Sequence, residues 1–251
     1  MDDAALLRYS RHILLDELGV EGQEKIRKGH VLLIGVGGLG SPASLYLAAS
    51  GVGRITLCDG DTVDLTNLQR QIALRMSDVG HNKAEATRES LLAINPDVDI
   101  VVVPERLSGK ALTRQVAAAD VVLDCSDNFA TRHAVNRACV QHRKPLVSGA
   151  AIRFDAQIAV FDPCSADSPC YECLYPETAV DEEVRCAVMG VFSPLVGIVG
   201  ATQAAEALKL LVGMGQSLAG RLLILNALSM EWQRIRLPRD PHCKVCGGGA
   251  I

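Results

Sequence analysis

Residues Val31 to Asp59, VLLIGVGGLGSPASLYLAASGVGRITLCD, decide the fold of this chain. A short apolar run, Val31 to Ile34, leads straight into Gly35, Gly37, Gly38 and Gly40. A helical pattern follows, then a second apolar run that ends in Asp59. Strand, glycine turn, helix, strand and acid, in that order, make a mononucleotide-binding unit. The glycines let backbone approach phosphate oxygens with no side chain between. The helix N-terminus adds unpaired N–H groups and partial positive charge, which suits an anion. Asp59 lies nineteen residues after Gly40, the spacing at which an acid accepts hydrogen bonds from ribose hydroxyls. The same residues would also serve a tightly packed βαβ turn that binds nothing.

The polar stretch GDTVDLTNLQRQIALRM, residues 60–76, follows this unit. It leaves the C-terminal end of a strand, where open α/β sheets place ligands. Asn67, Gln69 and Arg70 are therefore candidates for sugar and phosphate contacts, with simple loop solvation as the alternative. Residues 81–94 read as a helix with Lys83 in its first turn. A lysine there opposes the helix dipole unless an anion is nearby, which marks Lys83 as functional.

Strand-like runs recur at Ile100 to Val103, Val121 to Cys125 and Pro145 to Ser148, with helical patterns at 108–119 and 129–142 between them. The alternation predicts an α/β fold with a doubly wound, mostly parallel, Rossmann-like sheet. VVLDCSDN ends one strand with Asp124, Asp127 and Asn128. Acids at that edge can hold Mg²⁺, although Asp127 or Asn128 could equally cap the next helix. After Gly149 the pattern changes. AIRFDAQIAVFDP reads as one extended strand, residues 193–213 as a long helix, and RLLILNA with EWQRIRLP as a hairpin. The sheet is thus expected to continue into antiparallel strands. No linker or repeat interrupts residues 1–251, which predicts a single domain.

The chain has 251 residues, 49% apolar and 22% charged, as an ordinary globular protein does. A net charge of -4 gives no reason to expect nucleic acid or an anionic membrane as partner. MDDAALLRYSRH lacks the pattern of a secretory signal, so a cytoplasmic location is expected. Ala187 to Ala205 is uncharged but rich in Gly, Ser, Thr and Pro, and reads as a buried helix rather than a membrane span. Residues 1–28 look helical, broken into two pieces at GVEGQEKIRKG, with Arg8 and Arg11 on one solvated face.

Nine cysteines in such a chain point to thiols or metal ligands rather than disulfides. Cys170 with Cys173, and Cys243 with Cys246, form two CxxC pairs. Together they would complete a tetrahedral S₄ site for structural Zn²⁺, with a redox pair or two disulfides as alternatives. Cys186 lies in PETAVDEEVRCAVMG and is a candidate nucleophile or sulfur acceptor, or an incidental loop cysteine. Cys58, Cys125 and Cys139 read as core.

RYSRHILL, GVGGLGSP, DGDTVDLTNLQRQ, Lys83, LDCSDN, SGAAIR, both CxxC pairs and CAVMGVFSPLVGIVG together resemble the MoeB/ThiF/HesA family in identity and order. These proteins are bacterial relatives of ubiquitin-activating enzymes. The likeness covers essentially the whole chain. It implies ATP- and Mg²⁺-dependent adenylylation of the C-terminal glycine of a small ubiquitin-like sulfur-carrier protein. A sulfur donor then converts the acyl-adenylate to a thiocarboxylate. The resemblance assigns Gly38 to the phosphate turn, Asp59 to ribose, Asn67, Arg70 and Lys83 to phosphates, and Asp127 to Mg²⁺. It gives Arg11 to the ATP site of a neighbouring subunit, which implies a homodimer and overrides the solvated-face reading. Cys186 matches a cysteine that some members use in sulfur transfer. No rhodanese-like extension follows the second CxxC, so a separate sulfur donor, such as a cysteine desulfurase or rhodanese, is implied. SGAAIRFDAQIAVFDP and CYECLYPE are most similar to the molybdopterin-synthase activators, while RYSRHILLDEL resembles the thiazole-pathway members. An NAD-dependent oxidoreductase, from the glycine turn and Asp59 alone, and a non-catalytic docking scaffold are the competing readings.

Overall fold

The computed structural model describes residues 1–165, 167–177 and 189–247. Eight strands form one sheet: β1 (His30–Ile34), β2 (Arg54–Cys58), β3 (Asp99–Val103), β4 (Val121–Asp124), β5 (Leu146–Ile152), β6 (Asp155–Phe161), β7 (Arg221–Asn226) and β8 (Glu231–Arg236). Their order across the sheet is β3-β2-β1-β4-β5-β6-β7-β8. The first five run parallel, and the last three pair antiparallel. Apolar residues fill β1, β2 and β4 because both of their faces are covered. The last strand, β8, is exposed along its length and carries Glu231, Arg234 and Arg236, charges that discourage pairing with another edge.

Nine α-helices surround the sheet among the described residues: α1 (Asp3–Arg8), α2 (Ser10–Ile13), α3 (Gly19–Lys28), α4 (Gly40–Ala49), α5 (Lys83–Ile94), α6 (Gly109–Ala118), α7 (Phe129–His142), α8 (Tyr171–Leu174) and α9 (Ser193–Val212). One core joins Leu47, Leu91 and Leu195, from α4, α5 and α9, to Leu33, Leu57 and Leu123 of the strands. A second, on the other face, joins Leu112 and Val135, from α6 and α7, to Leu32, Val122 and Leu146. The sheet is therefore wound on both sides, as the alternating pattern predicts.

Three expectations are corrected. The N-terminal region is three helices, not two pieces, and GVEGQEKIRK is itself the helix α3 rather than a break. Buried Gln23 and Ile26 dock α3 on the core, which outweighs the low helix propensity of its glycines. AIRFDAQIAVFDP is not one strand. Ala151 and Ile152 end β5, Arg153 and Phe154 turn, and β6 returns. Arg153 adopts the left-handed region at φ 52, a position with neither the Gly nor the Asn that would signal it. The hairpin at β7 and β8 is as expected.

Among the described residues α9 is the one helix long and apolar enough to cross a membrane, but half of its apolar window is buried inside the protein. It lies on α4 and on β4, β5 and β6. The contact with α4 is backbone-close: a Cβ on Gly200 would sit 2.3 Å from Leu39 O and 2.6 Å from Pro42 Cγ. Gly200→Ala is therefore expected to destabilise the protein by about 1–3 kcal/mol, seen as a lower urea midpoint with an unchanged slope.

Candidate functional site

Strands β1 and β4 are neighbours, yet the helices that follow them, α4 and α7, pack on opposite faces of the sheet. A crevice opens beyond their C-terminal ends, where doubly wound sheets bind ligands. Here it is a cavity of about 910 Å³. Gly38, Asp59, Asn67, Gln69, Arg70, Lys83, Asp127 and Asn128, eight of the residues singled out in the sequence, all line it. Arg11 does not: it is exposed on α2. Cys186 lies outside the described residues.

The glycine turn divides by cause. Gly35 has φ +88, and a Cβ on Gly40 would meet Gly35 O at 2.1 Å, so these two are required by the fold itself. Gly37 and Gly38 are not: a Cβ there would find ordinary contacts at 3.6 and 3.4 Å. Both border the cavity, so their missing side chains leave room there. The Asp59 carboxylate accepts from Val36 N and Asp61 N, both at 2.9 Å, which fixes its orientation beside the turn. Asn67 closes a capping box with Asp64, and Arg70 donates to Thr66 O at 3.1 Å.

Lys83 is buried in the first turn of α5, and its Nζ lies 3.1 Å from Asp61 Oδ2. The anion that its position called for is thus supplied by the protein. Arg106, from the loop after β3, donates to the other oxygen of Asp61 at 2.8 Å. Burial raises the Asp61 pKa, but the hydrogen bonds from Arg106 and Lys83 outweigh it and hold the carboxyl below its ordinary value. Asp127 is exposed on the cavity wall, while Asn128 caps α7 by accepting from Thr131 N at 2.9 Å. The capping alternative therefore applies to Asn128.

Sequence reasoning passed over two cations. Arg106 sits just beyond the C-terminal end of β3, the same position that drew attention to Arg70, and that rule would have found it. Arg132 is one turn into α7, buried, and reaches the cavity. No local pattern marks it.

The cysteine cluster is compact. The Sγ atoms of Cys170, Cys173, Cys243 and Cys246 all lie within 4.8 Å of one another. Cys170 to Cys243 is 3.7 Å and Cys173 to Cys246 is 3.4 Å. A tetrahedral site with Zn–S bonds of about 2.3 Å needs sulfurs about 3.8 Å apart, whereas a disulfide needs about 2.05 Å. All four are free thiols, and the set fits zinc. The hydrogen bond between Cys170 and Cys173 holds the Cys173 thiol below the ordinary range and Cys170 above it, and burial pushes Cys246 up. Four thiolates can coexist there only around a cation. Asn136 supports the cluster, donating to Cys170 Sγ at 3.6 Å and accepting from Tyr171 N at 2.9 Å. Cys58, Cys125 and Cys139 are buried in the core as expected, and burial pushes Cys58 up to about 12. The purified protein is expected to release one Zn²⁺ per chain to a chelator on denaturation. Cys243→Ser is expected to release almost none and to expose residues 237–247 to limited proteolysis.

The ThiF family model matches residues 9–245. The sulfur carrier protein ThiS adenylyltransferase of Escherichia coli K12 is 44% identical, over 99% of this chain and 98% of its own length. The molybdopterin-synthase adenylyltransferase of the same strain is 42% identical over 98% of each. The SAMP-activating enzyme E1 of Haloferax volcanii is 43% identical over 100% of this chain and 92% of its own. Among solved structures, E. coli MccB with ATP superposes at a TM-score of 0.82 with 26% identity, covering 95% of this chain and 74% of that one. With the doubly wound sheet, the glycine turn at β1 and the four-cysteine cluster already described, these likenesses have one meaning: the chain belongs to the ThiF family.

Proposed function

We propose that this protein, with residues 1–251 working as one adenylation domain, transfers AMP from ATP to the C-terminal carboxylate of a small ubiquitin-like sulfur-carrier protein. One observation carries the reading: the glycine turn, Asp59, Arg70, Lys83 and Asp127 meet in a single cavity at the switch point of the sheet. The names of the full-length relatives, adenylyltransferases of sulfur carriers, support it.

A carboxylate is already a nucleophile. Its oxygen attacks the α-phosphorus, the bond to the β-phosphate oxygen breaks, and pyrophosphate leaves without any general base. The protein's task is in-line positioning and neutralisation of phosphate charge. Asp59 would hold the ribose and Gly38 the phosphate turn, with Asn67 and Gln69 beside them. Arg70 and Lys83 would hold phosphate oxygens, with Lys83 moving from Asp61 to the ligand. The carboxylate of Asp127 suits Mg²⁺, which supplies further charge neutralisation when bound, while Asn128, its oxygen held by Thr131 N, would border the nucleotide.

The wall of the cavity holds five carboxylates, Asp59, Asp61, Glu105, Asp127 and Asp155, against four cations, Arg70, Lys83, Arg106 and Arg132. Two like charges 4 Å apart repel by about 4 kcal/mol near a protein surface. A triphosphate adds further negative charge to that wall, so added positive charge would strengthen its binding. That deficit supports both Mg²⁺ at Asp127 and Arg11 acting from the partner of a homodimer. Sulfide-level sulfur from a separate donor protein would then attack the acyl carbon and displace AMP, leaving a thiocarboxylate, with the Cys186 thiolate a candidate to displace AMP first as a thioester.

The carrier is proposed to be the small subunit of a molybdopterin synthase, on the motifs SGAAIRFDAQIAVFDP and CYECLYPE. The 44% identity to the ThiS enzyme keeps a thiazole-pathway carrier as the second reading. Pyrophosphate exchange into ATP should depend on a carrier ending in Gly-Gly and should fall about a hundredfold or more in Asp127→Ala. Arg70→Ala and Lys83→Ala should raise the KM for ATP. Exchange with neither type of carrier would overturn the proposal.

A further inference from the structure

Strands β4 and β5 pair only as far as Asp124 and Ser148. Beyond that point β5 continues to Ile152, while the chain after β4 leaves the sheet and carries Asp127 to the cavity. The ladder therefore gives Asp127 no support. Arg132 reaches into this gap from α7. Its Nη2 donates to Ser126 O and, at 2.9 Å, to Gly149 O, and its Nη1 donates to Ser148 Oγ at 3.2 Å. Asp124 is fully buried, with Oδ2 3.9 Å from Arg132 Nη1. Its Oδ1 accepts from Ser126 N at 3.0 Å and Ser126 Oγ at 2.6 Å. All three polar groups of Ser126 are thus held by one buried ion pair, immediately before Asp127.

The strand ends do not need this arrangement to stay together. Gln203, buried on α9, already joins them: its Nε2 donates to Asp124 O at 2.9 Å and Val147 O at 3.2 Å. The bonds of Arg132 to Ser126 O and Gly149 O lie past the ladder, on the cavity side. Asp127's own carboxylate is only loosely tied, accepting from Asn128 Nδ2 at 3.4 Å. Its position therefore follows that of Ser126.

We infer that Arg132, braced by Asp124, is a positioning residue that fixes Asp127 where a divalent cation bound with the nucleotide can be held. The inference rests on the reading of Asp127 as the metal-holding acid. A planar guanidinium spans two carbonyls and a hydroxyl at once, which an ammonium on a flexible stem cannot do.

The test is Mn²⁺ binding, read by electron paramagnetic resonance with the whole protein and α,β-methylene ATP. Arg132→Lys keeps the charge and loses the bridge. Asp124→Asn/Arg132→Gln loses the bridge without leaving a lone buried charge, so it guards against a variant that fails to fold. Both are expected to keep their zinc and melt near the wild type. Both should bind Mn²⁺ about tenfold more weakly or worse, as for lost outer-shell support. Affinity for the analogue without divalent cation should change less than about twofold, and Asp127→Ala sets the limit of Mn²⁺ loss. A folded variant that binds Mn²⁺ as tightly as the wild type would overturn the inference. So would an equal loss of analogue affinity without Mn²⁺, which would mark general distortion of the cavity. No carrier enters this measurement, so absent pyrophosphate exchange would count against the proposed function alone.

Discussion

Connections leaving adjacent parallel strands for opposite faces of the sheet cannot both cover the space beyond the strand ends. In this protein that constraint falls between β1 and β4, and the site follows from it. The helix after β1 joins the core that includes Leu47 and Leu195, and the helix after β4 joins the core that includes Leu112 and Val135. Each core is apolar and well filled, so the crevice between their ends is the natural place for polar side chains. Asp59, Lys83, Arg106 and Asp127 reach the cavity from segments at the C-terminal ends of β2, β3 and β4. The fold thus gathers residues that are distant in sequence without burying unpaired charge.

Charge in that crevice is arranged as alternating sign. Asp61 sits between Lys83 and Arg106, and Asp124 lies beside Arg132. A lysine at a helix start is disfavoured by about 0.3–1 kcal/mol, and a buried one costs more unless paired. Asp61 offsets both costs and keeps the Lys83 ammonium directed at the cavity. On the proposed function the same carboxylate would yield Lys83 to a phosphate, making the resting pair an exchangeable counterion. Two dinucleotide features, the glycine turn and an acid after β2, would also fit a nicotinamide cofactor. Such a ligand gives no role to a cluster of cations beside an acid at the end of β4.

The strands, helices and four cysteines were legible because each has a local cause. Apolar runs made strands, the period of 3.6 made helices, and the CxxC spacing put two thiols on each of two turns. Residues at strand ends, such as Asp59, Arg70 and Asp127, were legible because α/β sheets place function there. What was not legible had causes remote in sequence. The turn at Arg153 and Phe154 lacks the usual residues. It is held instead by a short parallel bridge, in which Arg153 N donates to Gly190 O and Phe192 N donates to Arg153 O, while Phe154 packs on Phe192. The role of Arg132 depends on where β4 ends relative to β5, which pairing decides and composition does not. GVEGQEKIRK misled because propensity alone disfavours its glycines, whereas buried Gln23 donates to Ser50 O across the core.

Helix α7 joins the two polar centres of the molecule. Asn128 caps its start beside Asp127, and Arg132 braces the loop that carries that acid. The next residue, buried His133, has Nδ1 3.0 Å from Glu172 Oε2, and about one turn beyond it Asn136 uses both ends of its amide on Cys170 and Tyr171. Polar groups so deeply buried cost about 1–3 kcal/mol each when left unpaired. Asn136 finds its partners in Cys170 Sγ and Tyr171 N, on the turn that the cysteine cluster sets beside the C-terminal tail. A metal held by the four thiols would therefore stiffen the middle of a helix whose first turn borders the cavity.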